Sequence, residues 1–422
     1  MNSSNNGFHD GSGSQRPAQV RVARVIDRLN VGGPSKHVVW LSAGLNSMSF
    51  QTMLITGTVP AGEGDMSYFA LDQNITPEII PEMSRELSWR DVLVVVKLLR
   101  LFLRFKPDIV HTHKAKAGAV GRTAAGLYRW LTVSSLWLKP RKCIVVHTYH
   151  GHIFHSYYST SKTRLFLMIE RTLAKLFTNR IITISPQQRD EIVNRFRVGT
   201  LAGSTVIPLG LDLGTVSDAN NQLKDEFNFR KDIPLVGIVG RLCEIKNHAL
   251  LIETAAILKR DNCPAQFAIL GDGHLRPQLE TQVQELGIQD MVTFTGFRRD
   301  MTTLYAGLDL VALTSLNEGT PLTLIEALAS GRAVASTEVG GVVDIMGEFR
   351  EQRNGFKIWD HGVTSPSGDA ESFAKAVRFL IDTPDLRSEM GRRGQRFVQD
   401  QYSKDRLVQN IAHLYRDLIA QT

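Results

Sequence analysis

Glu318 and Glu326 stand eight positions apart in the run Asn317-Glu318-Gly319-Thr320-Pro321-Leu322-Thr323-Leu324-Ile325-Glu326. This run reads as a loop entering a helix. An apolar, strand-like segment, Leu308 to Leu313, precedes it, and Gly331 is a natural helix stop. Pro321 suits the first helical turn, where its missing N–H would be unpaired anyway. The leading amides, expected at Leu322 and Thr323, form an anion site aided by the helix dipole. The rise along the helix plus the loop puts the two carboxylates roughly 8–10 Å apart. A diphosphate bound between them would carry a sugar near Glu318 and a ribose near Glu326. Two ordinary helix-edge acids would share this spacing, so the pair needs support from elsewhere.

Support comes from two cations about 75 residues upstream. Gly240-Arg241-Leu242-Cys243-Glu244-Ile245-Lys246-Asn247 follows the strand-like Leu235 to Val239 and precedes a helix. Arg241 can fork onto two oxygens and Lys246 is a mobile point charge, so both suit a diphosphate. Surface salt bridges are the plainer alternative. In the first half, Asn30-Val31-Gly32-Gly33-Pro34 links a β-branched strand, Val20 to Ile26, to an apolar helix, Val38 to Leu45. Gly32 and Gly33 let backbone approach a phosphate or sugar closely, or simply make a tight turn. Pro107 to His113 is a short buried strand, and Lys114 and Lys116 open the next helix. They suit an acceptor phosphate or a solvated face equally. His111 and His113 have no third metal ligand near in sequence, so no metal site is expected. Cys143 to Thr148 is a strand that ends beside His150, where a doubly wound sheet binds its ligands.

These motifs resemble the retaining GT-B glycosyltransferases of family four. The Glu-x7-Glu pattern, the Gly-Arg-x4-Lys-Gly pattern with Asn247 at its last position, and the glycine loop all match. So does the Thr-x-His-Gly type segment at His150. Val206-Ile207-Pro208-Leu209-Gly210-Leu211-Asp212 is similar to the family's interdomain Pro-Asn-Gly-x-Asp, with Leu209 in place of the Asn. The resemblance covers about residues 20–420. It implies that His150 and Glu318 hold the donor sugar and that Arg241, Lys246 and the helix amides offset charge on the leaving diphosphate. It further implies that Glu326 binds the ribose and that the base lies near Gly296. Gly32, Gly33, Gly319, Thr320, Pro321, Leu322 and Thr323 would complete the donor site. No metal and no cofactor are expected beyond the nucleotide-sugar co-substrate, and UDP follows from the family's habits. Product analysis would separate this reading from a sugar-nucleotide epimerase of the same fold.

Strands alternating with helices argue for an α/β fold of two Rossmann-like, doubly wound parallel-sheet domains facing a cleft. The expected division is a disordered tail at 1–18, an acceptor-side domain at 19–212, a nucleotide-sugar domain at 213–400 and a returning helix at 401–422. Asp91 to Arg104, apolar nearly all round, is expected to be a packed core helix; Ile75 to Ile80 is expected to be a strand, and Asn354-Gly355-Phe356 a turn before the helix Ala370 to Ile381. The chain of 422 residues is 43% hydrophobic and 22% charged, as in a globular protein. Its three cysteines are too few for a disulfide framework or zinc site and fit a reducing compartment. No signal peptide is visible, and no apolar run approaches the roughly 20 residues of a membrane span.

Charge is uneven. Residues 1–210 carry net +13 and the remainder net −6. No nucleic-acid module or interleaved stacking aromatics accompany the basic half, so nucleic acid is not the expected partner. Residues 126–142 mix Tyr128, Trp130 and Trp137 with Arg129, Lys139, Arg141 and Lys142, and residues 153–166 repeat the blend. Such stretches either anchor at a lipid interface or cap the domain's core. The expectation is a lipid-linked or glycan acceptor in surface polysaccharide synthesis. The protein would then be cytoplasmic, bound reversibly to the inner face of an anionic membrane. A soluble acceptor is the alternative.

Overall fold

The computed structural model describes residues 19–60, 63–84, 88–132, 139–150, 160–213, 222–298 and 300–422. Two sheets organise them. The first contains β1 (Val20–Arg28), β2 (Phe50–Gly57), β3 (Glu78–Ile79), β4 (Ile109–His113), β5 (Ile144–Thr148), β6 (Arg180–Thr183) and β7 (Ser204–Val206). Their order is β3-β2-β1-β4-β5-β6-β7, all parallel. The second contains β8 (Leu235–Val239), β9 (Gln266–Leu270), β10 (Val292–Gly296), β11 (Leu310–Leu313), β12 (Val334–Thr337), β13 (Phe349–Arg353), β14 (Phe356–Trp359) and β15 (Gly362–Ser365). Their order is β10-β9-β8-β11-β12-β15-β14-β13, and only β14 pairs antiparallel with its neighbours.

Each sheet reverses its winding beside its first strand, between β1 and β4 and between β8 and β11. Ligands in open parallel sheets bind outside the carboxyl ends of strands at such switch points. The central strands are apolar on both faces because helices cover both. Val236, Ile238 and Phe267 enter one core cluster of the second domain, while Val311, Leu313 and Leu324 enter the other. In the first domain, Ala23 and Val25 face one cluster and Val22 and Ile109 another.

The last helix, Lys404–Ala420, supplies Leu407, Ile411, Ala412 and Tyr415 to that second cluster of the first domain. The linker runs against its start. Leu211 N–H donates to the Tyr402 carbonyl (2.7 Å), and Lys404 N–H donates to the Leu211 carbonyl (2.9 Å). Leu209, at the position of the family's Asn, is buried, and its carbonyl accepts from Arg406.

Three sequence expectations need correction. The helix Asp91–Phe105 is not packed all round. Val94, Leu98 and Phe102 are buried, whereas Val92, Leu93, Val96 and Leu103 are exposed, because the helix lies on one side of its sheet only. The strand expected from Ile75 to Ile80 shrinks to Glu78–Ile79, since the Ile75 N–H closes the preceding turn onto the Ala70 carbonyl. Asn354-Gly355 is not a plain turn before a helix. It joins β13 and β14 as a hairpin, with both residues at positive φ (34° and 95°).

Candidate functional site

The helix Leu322–Ala329 begins at the carboxyl end of β11, facing the first domain. Pro321 is its extended N-cap (φ −74°, ψ 98°) rather than a residue of the first turn. Its carbonyl accepts from the Leu324 and Ile325 N–H groups, so the Leu322 and Thr323 amides precede the first helical hydrogen bond. The Thr323 hydroxyl is buried and has no partner among the described residues. Polar groups left so are costly unless a ligand satisfies them. Across the interdomain gap, a Cβ at Gly33 would fall 2.5 Å from Leu322 Cδ1. The glycine loop of Gly32 and Gly33 thus packs against the helix start, and a larger residue at Gly33 would require the Leu322 side chain to shift.

The loop Glu318-Gly319-Thr320 rests on the turn after β12. Gly340, at φ +50°, lies against the Glu318 carbonyl, and Gly341 N–H donates to that oxygen (3.2 Å). The Glu318 carboxylate is held by Lys246 Nζ (2.6 Å) and by the Ser315 hydroxyl (2.6 Å). Lys246 itself is pinned through its backbone, whose carbonyl accepts from the Thr314 hydroxyl (2.9 Å). Leu316 N–H donates to the neighbouring Ile245 carbonyl (2.8 Å). Asn247 sits in the left-handed region at φ 48°, which explains how Asn stands where the family pattern has Gly. Arg241 is exposed at the carboxyl end of β8 and forms no ion pair among the described residues. Gly296 ends β10 at φ +75° and bridges to Gly271.

Glu326 is half-buried. Burial pushes its carboxyl above the usual range, while nearby Lys36 and the Tyr305 hydroxyl (3.0 Å) pull it back. Lys36, Tyr305 and Ser315 are partners that the sequence reading did not find. Lys36 comes from the glycine-loop helix of the other domain, so its approach to Glu326 exists only once both domains are folded.

On the first domain, His150 follows β5. Burial, with Lys114 nearby, pushes its imidazole down to about 3, so it is neutral at physiological pH. His113 Nδ1 lies 2.9 Å from His150 Nε2. His111 is fixed by the hydroxyls of Tyr415 (2.6 Å) and Thr148 (2.7 Å). The neighbouring Tyr149 is locked by Glu170, which also pairs with buried Arg122. His37 stands beside His113 and His150, with ring centroids 5.6 and 4.7 Å away.

Lys114 and Lys116 border, with Asp27, Glu63 and Arg241, a cavity of about 570 Å³. Both lysines already face carboxylates. Lys114 Nζ is 2.9 Å from Asp27, and Lys116 Nζ is 2.6 Å from Asp91. An anion reaching either would have to compete with an ion pair.

Residues 31–215 match the family described as Glycosyltransferase Family 4, and residues 220–397 match Glycosyl transferases group 1. The chain is 27% identical over 356 residues to the UDP-Gal:alpha-D-GlcNAc-diphosphoundecaprenol alpha-1,3-galactosyltransferase of Escherichia coli, covering 83% of this chain and 86% of that protein. It is 26% identical to the putative glycosyltransferase EpsD of Bacillus subtilis, covering 77% and 81%. Among solved structures, Anabaena HepE in complex with UDP superposes with a TM-score of 0.75 at 20% identity, covering 94% of this chain and all of that one.

Proposed function

The chain belongs to the family-four, group 1 glycosyltransferases, and we propose that it moves a sugar from UDP to a lipid-linked acceptor with retention of anomeric configuration. The observation that carries the donor reading is the construction around the helix Leu322–Ala329. A buried, unpartnered Thr323 hydroxyl and two leading amides lie between Glu318 with Lys246 on one side and Glu326 on the other. The complexes of Anabaena HepE with UDP and UDP-glucose support the same nucleotide here.

In this reading the diphosphate sits on the Leu322 and Thr323 amides, with Arg241 and Lys246 closing over it. Charge that develops as the glycosidic bond breaks is met by groups already oriented for it. Lys246, now on Glu318, shares its ammonium with the phosphate, having three protons to give. The ribose meets Glu326, the base lies by Gly296, and the sugar lies between Glu318 and His150. Neutral His150 both donates and accepts a hydrogen bond, which suits a sugar hydroxyl. Arg241, Lys246 and the amides do what a divalent cation does elsewhere, so turnover needs none. No side chain is invoked as a covalent nucleophile.

The acceptor reading draws on the E. coli relative, whose name specifies a diphosphoundecaprenol acceptor. It also draws on a surface of the first domain. Trp89 is 77% exposed and Val92 68%, and Trp130 and Leu131 end the adjoining helix Ala115–Trp130 exposed. In the chain Arg90 adjoins Trp89 and Arg129 adjoins Trp130, while Arg100 and Arg104 lie on the helix Asp91–Phe105. Tyr128, by contrast, is buried under Arg141 and caps the core. Trp137 and residues 153–159 lie outside the described residues. Among the described residues no helix is long and apolar enough to cross a membrane; the association proposed is peripheral, on the cytoplasmic face. A thermal-shift screen of nucleotide sugars tests the donor directly, because a ligand of the native state raises the melting temperature. A UDP-sugar should give the largest rise. Stabilisation by none of the nucleotide sugars would contradict the reading.

A further inference from the structure

Beyond the transferase site, we propose that His37, His113 and His150 form a site for a zinc-class divalent metal ion. The three come from the glycine-loop helix, the end of β4 and the segment after β5, so no sequence motif joins them. One ligand nitrogen from each lies within 4.8 Å of the others. Zn–N bonds of about 2.0–2.1 Å in tetrahedral geometry need nitrogens about 3.4 Å apart. His113 Nδ1 and His150 Nε2, at 2.9 Å, already meet that separation approximately, and rotation of the third ring closes the set.

A second observation is independent of proximity. His37 Nδ1 and Nε2 are both buried and have no hydrogen-bond partner among the described residues, whereas the unmet nitrogens of His113 and His150 are those facing away from their shared contact. Core histidines normally find partners for their ring nitrogens. His111 next door does so at both nitrogens, through Tyr415 and Thr148. His37 differs from it in leaving both nitrogens unmet.

The chemistry selects the metal. Neutral imidazole is a ligand for zinc, copper and nickel, whereas magnesium and calcium require oxygen donors that this pocket lacks among its three ligands. Arg24 is buried close by and Lys114 adjoins His150. Burial, with these charges added, disfavours the protonated rings, and the charges also oppose weakly bound cations, leaving only metals that bond strongly to nitrogen. Binding needs no net proton release. The proton between His113 and His150 moves to an outer nitrogen of the same ring, leaving two lone pairs on the metal. Three protein ligands leave a fourth position open, and His150 is the partly exposed member of the set. If His150 holds the donor sugar, as proposed above, zinc there inhibits transfer. Only this consequence rests on the donor reading.

The test is equilibrium dialysis of the EDTA-stripped full chain against zinc chloride, with cobalt(II) as a spectroscopic substitute and without any nucleotide. The proposal expects one zinc per chain, retained against excess magnesium, and a visible cobalt absorption band typical of tetrahedral coordination. His37→Phe keeps a buried ring and removes a ligand whose nitrogens hold nothing else, so it should fold. It should weaken zinc binding by more than about 100-fold. His113→Gln is the second variant should the first fail to fold. Wild-type protein that takes up no stoichiometric zinc would overturn the site. So would folded variants that bind zinc as tightly as wild type. Because donor binding is not measured, this failure is separate from any failure of the transferase reading.

Discussion

Burial raises the Glu326 carboxyl while Lys36 and the Tyr305 hydroxyl lower it, and burial wins. A carboxyl whose folded pKa exceeds its unfolded one stabilises the fold fully below the unfolded value, about 4.3. That stability is lost as pH rises through the raised folded value. Glu326→Gln should therefore melt like wild type below this window and higher than wild type above it. The same variant should bind UDP about tenfold more weakly, since a hydrogen bond to a buried hydroxyl contributes on the order of 1 kcal/mol. Paired melting curves with and without UDP check both. Glu318 differs, being held by Lys246 and Ser315. Its removal frees Lys246 for the diphosphate, so Glu318→Ala should keep donor affinity while kcat falls by about 10²–10³-fold. Steady-state kinetics that find kcat near wild type would remove Glu318 from the mechanism. The placement of Glu318, Arg241 and Lys246 at strand-to-helix junctions, with Glu326 inside the helix that follows, was readable in the sequence from the apolar runs and turn residues around them. Lys36, Tyr305 and His37 were not, because their roles arise from distant segments meeting across the fold.

At the scale of elements, the turn Glu244–Lys246 that carries the lysine ends on Asn247 in the left-handed region. A β-branched residue there costs about 1–2 kcal/mol, whereas Gly costs almost nothing. Asn247→Val is expected to lower stability by that amount in urea denaturation and to weaken donor binding by moving Lys246. Asn247→Gly should be close to neutral in both. Equal effects of the two substitutions would show that the turn does not position the lysine. The parallel strands were legible because buried β-branched runs alternate with helices. The hairpin of β13 and β14 was missed because β13, Phe349–Arg353, is exposed throughout and has no apolar alternation to announce it. The helix Asp91–Phe105 misled for the opposite reason. Its apolar residues exceed what its single packed face can bury, so composition suggested a core position that the fold does not supply.

At the scale of the whole molecule, residues 85–197 carry a formal net charge of +15, and Trp89, Val92 and Trp130 within that span are exposed. Each basic residue near an anionic surface contributes about 1 kcal/mol and is screened by salt. The protein should float with anionic vesicles at low salt, release at high salt, and lose most binding in Trp89→Ser with Trp130→Ser. Failure to float would favour a soluble acceptor. The two-domain plan was readable from the duplicated strand–loop–helix pattern. How the first domain's glycine loop meets Leu322 was not, since that contact depends on the angle between the sheets. The central claim is that a nucleoside diphosphate binds between these domains on Arg241, Lys246 and the start of Leu322–Ala329. Isothermal titration of UDP into the full chain in excess EDTA, beside Arg241→Ala with Lys246→Ala, tests it most directly. The account predicts one UDP per wild-type chain without metal. In the folded double variant it predicts a loss of at least about 100-fold, because each charged hydrogen bond contributes roughly 1.5–3 kcal/mol. Equal binding by both proteins, or binding by wild type only when magnesium or manganese is restored, would contradict it.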